Sequence, residues 1–380
     1  MSKYHPGFFQ SIEGMSRRRA IHVSIGAFFA LYLVGCATGP TDEREGHLFY
    51  PPLPNPPRIQ YLATFSNEID VKGELGGLGK FVLGGEENMS SVDKPYGTAL
   101  FDGKIHVVDA RGAGYAIFDL KAKEFRFIKG SGGGYLQKPI NMDIDSEGNK
   151  YVTDTIRQQV VVFDRNDEYI RAFGVKGQFK PSDVAVDDDR LYVANLLNSD
   201  IHVLDKQTGE ALFQFPPKGD AAGPEHLAHP TNLALRDGYL YVADSTASKV
   251  VKFTTSGEYV ATIGRMGTNV GEFARPKGVA VDKAGNIYVV DAAFENVQIF
   301  TEEGKLLLYF GGPGPARENI NLPTTVVVDY DNVEYFQQYA APDFKIEYVI
   351  LVASQFGLSK VNAFGFGKIE GMDYSSAVPN

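Results

Sequence analysis

Tryptophan is absent from the 380 residues, and cysteine occurs once, at Cys36. One cysteine excludes a disulfide within the chain, a Cys-x-x-Cys-His haem site and any Cys-based zinc site. Stability must then come from an apolar core, which a chain of this length can build. No long Lys/Arg run follows Cys36, and 37 basic against 47 acidic residues give a net charge of −10. Four of the basic residues and one acid, Glu13, precede Cys36, so the remainder is more acidic still. Such a surface repels phosphate backbones and argues against nucleic-acid binding, while it suits cationic partners or plain solubility. A Gly-x-Ser-x-Gly elbow is missing, and neither Gly130-Ser131-Gly132-Gly133-Gly134 nor Gly311-Gly312-Pro313-Gly314 ends in Gly-Lys-Ser/Thr. Both clusters read as turns rather than phosphate loops.

What is present is glycine (41), proline (20), tyrosine (20) and phenylalanine (26), the composition of many short strands joined by tight turns. At the start, Ser16-Arg17-Arg18-Arg19 precedes an apolar stretch from Ala20 to Val34. About 15 residues at 1.5 Å each reach roughly 22 Å, short of a ~30 Å hydrocarbon core, so the stretch reads as a secretory signal rather than a membrane span. Its end, Leu33-Val34-Gly35-Cys36, resembles the bacterial lipoprotein lipobox. That resemblance implies acylation of Cys36 and a stable tether through two or three acyl chains. Ala37 in place of an Asp resembles the pattern sorted to an outer membrane. Met15 offers an alternative start that would give a signal peptide of conventional length.

Five prolines between Pro51 and Pro57 favour polyproline II, and the 21 residues from Ala37 to Pro57 could then span up to roughly 65 Å as a stalk. Beyond them, prolines open apolar strands at Pro95, Pro139, Pro181, Pro230, Pro276 and Pro323, with 42 to 49 residues between successive ones. A period near 45 is that of propeller blades. The clearest copy runs Pro276-Lys277-Gly278-Val279-Ala280-Val281, Ile287-Tyr288-Val289-Val290-Asp291, Val297-Gln298-Ile299-Phe300, a Glu303-Gly304 turn, and Leu307-Leu308-Tyr309-Phe310. Tyr151-Val152-Thr153-Asp154, Tyr192-Val193-Ala194-Asn195 and Tyr241-Val242-Ala243-Asp244 repeat its second strand. These repeats resemble the NHL family, which implies an all-β, six-bladed β-propeller. The sixth copy lacks a fourth strand, and Ile59 to Phe65 matches the missing one, so an N-terminal strand is expected to close the last blade. The reading divides the chain into a signal peptide (1–35), a lipidated Cys and stalk (36–58), a propeller (59–367) and a tail (368–380). Within the propeller lie the closing strand (59–65), a connecting segment with a short helix or cap (66–93) and the repeats (94–367). An aromatic insertion between Asp329 and Glu347 falls on a single blade, as binding loops of repeat folds do.

Asp109, Asp154, Asn195, Asp244 and Asp291 hold matching places at strand ends. Their recurrence points to an architectural cap that accepts backbone N–H bonds rather than to a cation ring. Glu225-His226-Leu227-Ala228-His229 has a metal-like spacing but aligns with Gly271-Glu272-Phe273-Ala274-Arg275, so it reads as an inter-blade loop with Leu227 in the place of Phe273. His106 and His202 fall within strands and read as structural. A binding face is expected from residues after the strand-opening prolines, Tyr96, Asn141, Ser182, Asn232, Lys277 and Thr324, with Arg111 and Arg157 from neighbouring loops. The functional expectation is a membrane-tethered recognition or scaffold lipoprotein that binds an envelope protein, peptide or glycan, with no catalytic residue, metal or cofactor assigned. Its rival is a propeller hydrolase or lyase with Ca²⁺ or Zn²⁺ in the channel, and fold analogy alone supports that one.

Overall fold

The computed structural model describes residues 46–73, 90–217 and 223–375. Leu33, Val34, Gly35, Cys36, the signal peptide and the first part of the stalk lie outside the described residues, as do 74–89 of the connecting segment and 376–380 of the tail. In the remainder every repeat becomes one antiparallel sheet. The protein is a six-bladed β-propeller.

Blade four shows why the sequence folds this way. In its second strand, Tyr239–Asp244, Leu240 and Val242 pack toward blade three, while Tyr241 and Ala243 pack toward blade five. Side chains alternate with period two, and a sheet buried on both faces therefore reads as a continuous apolar run. The same alternation places one hydrophobic cluster between each pair of neighbouring blades, six in all among the described residues. Each fully buried Val, Leu, Ile or Phe contributes about 1.5–3 kcal/mol, so these clusters hold the ring together.

Six inner strands surround the axis: Pro95–Phe101, Pro139–Ile144, Pro181–Val186, Pro230–Arg236, Pro276–Val281 and Asn321–Asp329. Proline opens five of them and is the third residue of Asn321–Asp329, and it suits these places because it has no N–H to give the ladder. We call the end of the ring where these strands begin the proline face. Successive inner strands approach so closely that Gly278 has no room for a side chain, since a Cβ there would stand 2.8 Å from Thr325 Cα and 2.9 Å from the Thr324 carbonyl oxygen.

Blade six is assembled from both ends of the chain. Ile59–Phe65 pairs with Val361–Ile369, from Ile59 opposite Phe366 to Phe65 opposite Val361, and closes the ring as expected. Two boundaries move. Phe49–Tyr50, within the expected stalk, adds a fifth strand by pairing with Gln60 and Ile59. The closing strand would otherwise expose an edge, and Phe49 is buried against Phe344 while Tyr50 packs on Phe310 and Phe364. The propeller also runs past residue 367: the strand ends at Ile369, and the Tyr374 hydroxyl donates to the Pro57 carbonyl at 2.8 Å.

The connecting segment contains a short helix, Ile69–Lys72. The 329–347 insertion forms a second, Val333–Gln337, whose Phe336 is buried edge-on against Phe65. Gln337 ties the insertion to the next strand, donating to the Phe344 carbonyl at 2.7 Å and accepting from the Ile346 N–H at 3.0 Å. Because it leaves the far end of an inner strand, this insertion lies on the face opposite the prolines and braces the seam.

Candidate functional site

Both the framework and the site begin at the prolines. Opposite each on the second strand stand Asp109, Asp154, Asn195, Asp244, Asp291 and, in blade six, Ser354. Every carboxylate gathers backbone N–H groups from two loops at once. Asp154 accepts from Gln137 and Lys138 before the proline and from Ile156 and Arg157 after itself, at 2.6–3.0 Å. Asp109, Asp244 and Asp291 repeat the pattern. In blade three the Asn195 amide oxygen accepts from Lys180 and Leu197 while its Nδ2 turns to Asp200 and His202. These buried caps use their lone pairs locally and fix the loops of the proline face.

Residues one and two places after the prolines divide by role, and this corrects the expectation that they form one binding patch. Ser182 and Thr324 are buried and fasten neighbouring inner strands, donating to the Pro230 carbonyl at 2.9 Å and the Tyr96 carbonyl at 2.7 Å. A hydroxyl at this place reaches the next blade because the strands are so close. Asn141 and Asn232 line the axial channel, a cavity of about 400 Å³ walled by the six inner strands. Arg157 is pinned to the carbonyls of Gly133 and Tyr135 and to Gln159, and Arg111 pairs with Asp93 at 3.1 Å. Only Tyr96 and Lys277 converge, with Lys277 Nζ 3.4 Å from the Tyr96 hydroxyl and 5.0 Å from the ring centre.

Around this pair the mouth of the channel is rich in donors. Burial raises the Tyr96 hydroxyl, but Lys277, then the nearby Gln355 amide, then Lys94 outweigh it and the net shift is downward. Burial lowers the Lys277 ammonium, and Arg275 and Lys94 push it further down against the pull of Tyr96. Gln355 is 5% exposed, and its Nε2 completes no hydrogen bond. Lys94 Nζ sits 5.6 Å from the centre of the Phe356 ring.

Deeper in the channel stand two carboxylates that sequence reasoning missed. Asp143 accepts from its neighbour Ile144 and, across the blade boundary, from Val186, both at 2.8 Å. Asp183 does the same with Val184 at 2.8 Å and Leu233 at 2.7 Å. Burial pushes Asp143 up to about 6 against those two N–H bonds, and Asp183 is driven well above the usual carboxylate range, by burial first and by Asp143 in addition. The frame itself could have revealed Asp183, which holds the place of Asn141 and Asn232.

A second missed pattern is charge. The residue before each proline is Lys94, Lys138, Lys180, His229, Arg275 or Leu322, whereas the far ends of the inner strands lead into Asp102, Asp145, Asp187, Asp237, Asp282 and Asp329. The proline face is therefore basic and the opposite face acidic, although the whole chain is acidic. His226 and His229 lie in the inter-blade loop, with Leu227 buried where Phe273 is buried in the next blade. His106 is buried and its pKa depressed to about 3, chiefly by burial and then by Lys150. Among the described residues no three His, Cys, Asp or Glu side chains group as metal ligands.

Comparison with known proteins agrees with the architecture. A family described as a 6-bladed beta-propeller matches residues 225–307. Protein brain tumor of Drosophila melanogaster is 32% identical over 145 residues, 37% of this chain but only 13% of that protein, so the match spans about an eighth of its length. Among solved structures, a structural genomics protein of unknown function from Bacteroides thetaiotaomicron superposes with a TM-score of 0.54 at 15% identity, covering 81% of this chain and 75% of that one. A streptogramin B lyase gives 0.51 at 12% identity (74% and 85%), and the calcium-binding protein regucalcin from Agrobacterium tumefaciens gives 0.51 at 10% (74% and 92%). At these identities the likeness establishes the fold alone.

Proposed function

We propose that this protein is a lipid-tethered recognition protein of the bacterial envelope, held at the outer membrane through Cys36, and that its proline face binds an envelope protein, peptide or glycan. The observation that carries this reading is the channel mouth, where Tyr96, Lys277 and the buried amide of Gln355 are gathered on a framework whose loops are fixed by Asp or Asn caps in five of the six blades. A preorganised set of polar groups beside a concave opening is what a binding site requires. Tether and recognition are separable in experiment. Cys36→Ala should abolish incorporation of a labelled fatty acid and release the protein from the membrane fraction. Crosslinking in cells, followed by capture of the full chain from detergent-solubilised envelopes, should recover a partner that is lost with Tyr96→Ala or Lys277→Glu. A partner list indifferent to both substitutions would sink the reading. The rival hydrolase or lyase reading has the shared propeller fold in its favour but no group of three metal-ligating side chains among the described residues, and metal analysis of the purified protein tests it.

A further inference from the structure

Three observations on the proline face are independent of one another. Lys or Arg precedes the proline in four of the six inner strands, and Lys138, Lys180 and Arg275 are exposed with no ion pair among the described residues. Gln355 buries an amide nitrogen that acts on the Tyr96 hydroxyl without completing a hydrogen bond, beside the Lys277–Tyr96 pair. The loops of the same face also carry exposed aliphatic side chains, among them Ile156, Val175, Leu197, Met266, Val270 and Leu358.

We propose that the channel mouth at Lys277, Tyr96 and Gln355 is a carboxylate site, and that the basic and aliphatic rim around it docks an acidic, apolar polypeptide segment. The inference rests on the recognition reading above and names its ligand chemistry. A carboxylate fits because the mouth supplies donors in excess of acceptors: an ammonium, a hydroxyl and an unpaired amide N–H. It would also relieve the mutual repulsion of Lys277, Arg275 and Lys94, which the Tyr96 hydroxyl offsets only in part. Polypeptide is favoured over nucleic acid by the rim, because bases need aromatic platforms to stack on and the exposed apolar groups here are mostly aliphatic. Aliphatic groups instead suit the side chains of a peptide, with the charges setting register and speed of encounter.

The test uses the protein from Cys36 onward in detergent and fluorescence anisotropy with four probes: a labelled peptide of alternating Glu and Leu, one of alternating Glu and Ser, one of alternating Lys and Leu, and a single-stranded oligodeoxynucleotide. The Glu/Leu peptide should bind, the Glu/Ser peptide more weakly, and the Lys/Leu peptide not at all. Lys277→Gln should weaken Glu/Leu binding about tenfold. Arg275→Gln, on an exposed side chain with no ion pair among the described residues, should weaken it about threefold. Asp188→Asn, on the opposite face, should leave it unchanged. Tighter binding of the oligonucleotide than of the Glu/Leu peptide, equal binding of the two leucine peptides, or indifference to both cationic substitutions would each overturn the proposal. An envelope partner that is captured through Tyr96 and Lys277 while the Glu/Leu peptide fails to bind would overturn the carboxylate site and leave the recognition reading standing.

Discussion

All four strands of blade two lie within 35 residues, Pro139 to Phe173, so every strand pair in it is a hairpin, whereas blade six joins residues 321–369 to a strand at 59–65. Hairpins close short loops, but the seam must bring together segments some 300 residues apart, and loop-closure entropy rises with that separation. Blade six carries extra structure where the regular blades carry none. Its strands Phe344–Phe356 and Val361–Ile369 are 13 and 9 residues long, a fifth strand covers its edge, and Phe336 plugs the gap beside Phe65. Its proline is opposed by Ser354 rather than a carboxylate, and Glu295 of blade five caps the Leu322 N–H instead. The seam is thus held by added apolar contact, and the regular blades by repeated polar caps.

Removal of everything before Ser66 should have the largest effect, because blade six then presents the edge of Val361–Ile369 to solvent. The expected outcome is loss of the cooperative thermal transition together with soluble aggregates by size-exclusion chromatography; an unchanged melting curve would show that the closing strand is dispensable. Asp154→Ala comes next. It strands several buried N–H groups at once, and charge-assisted bonds contribute about 1.5–3 kcal/mol each without full additivity, so a loss of ~3–5 kcal/mol is expected. Ser354→Ala, at the corresponding place in the seam, should cost only about 1 kcal/mol in the same urea titration. Equal losses would erase the contrast between the two kinds of blade. Gly278→Ala and Gly97→Ala probe the axis, where the added Cβ would meet Thr325 Cα at 2.8 Å and Asn141 Cα at 2.6 Å. Overpacking of this kind costs about 1–3 kcal/mol. A markedly smaller loss for Gly278→Ala would mean that the seam blade yields where the regular blade does not.

The repeat period, the four-strand frame and the closing strand were all legible because each is written in local pattern: a proline, two apolar runs and an Asp at fixed offsets. Phe49–Tyr50 was not, because two residues in a proline-rich stretch carry no periodicity and pair only once an edge exists. The site was less legible than the fold. Tyr96 and Lys277 could be named from the frame, but Ser182 and Thr324 occupy equivalent places and face inward, a difference decided by packing between blades. Gln355 lies one residue beyond Ser354, in the blade whose cap departs from the pattern, so counting from a conserved-looking Asp never reached it. Asp143 and Asp183 sat in view and were passed over because their significance is environmental: the low dielectric of the channel, rather than residue type, raises their pKa.

Those channel carboxylates give the most specific comparison, because blades two and three use titrating links to their neighbours where blade six uses the Thr324 hydroxyl. Asp143 has a folded pKa of about 6 against an ordinary value of 3.8. The folded state therefore binds more protons than the unfolded state between about pH 4 and 6, and stability from this group falls as pH rises through that window. Above it the full penalty applies, at most ~3 kcal/mol for a shift of about two units. Asp143→Asn removes the titration and offers one acceptor oxygen, as the protonated carboxyl of the parent does, so the two proteins should be about equally stable near pH 4. Near pH 7, where the parent carries the buried charge, the variant should be the more stable, by at most ~3 kcal/mol. The two urea-midpoint curves should coincide near pH 4 and separate as the pH rises through about 6. Thr324→Val, which removes the seam's counterpart, should run parallel to the parent at every pH because a hydroxyl does not titrate there. Parallel curves for Asp143→Asn as well would show that the channel is wet enough to hold the carboxylate at its ordinary pKa, and the two kinds of inter-blade link would then differ only in geometry.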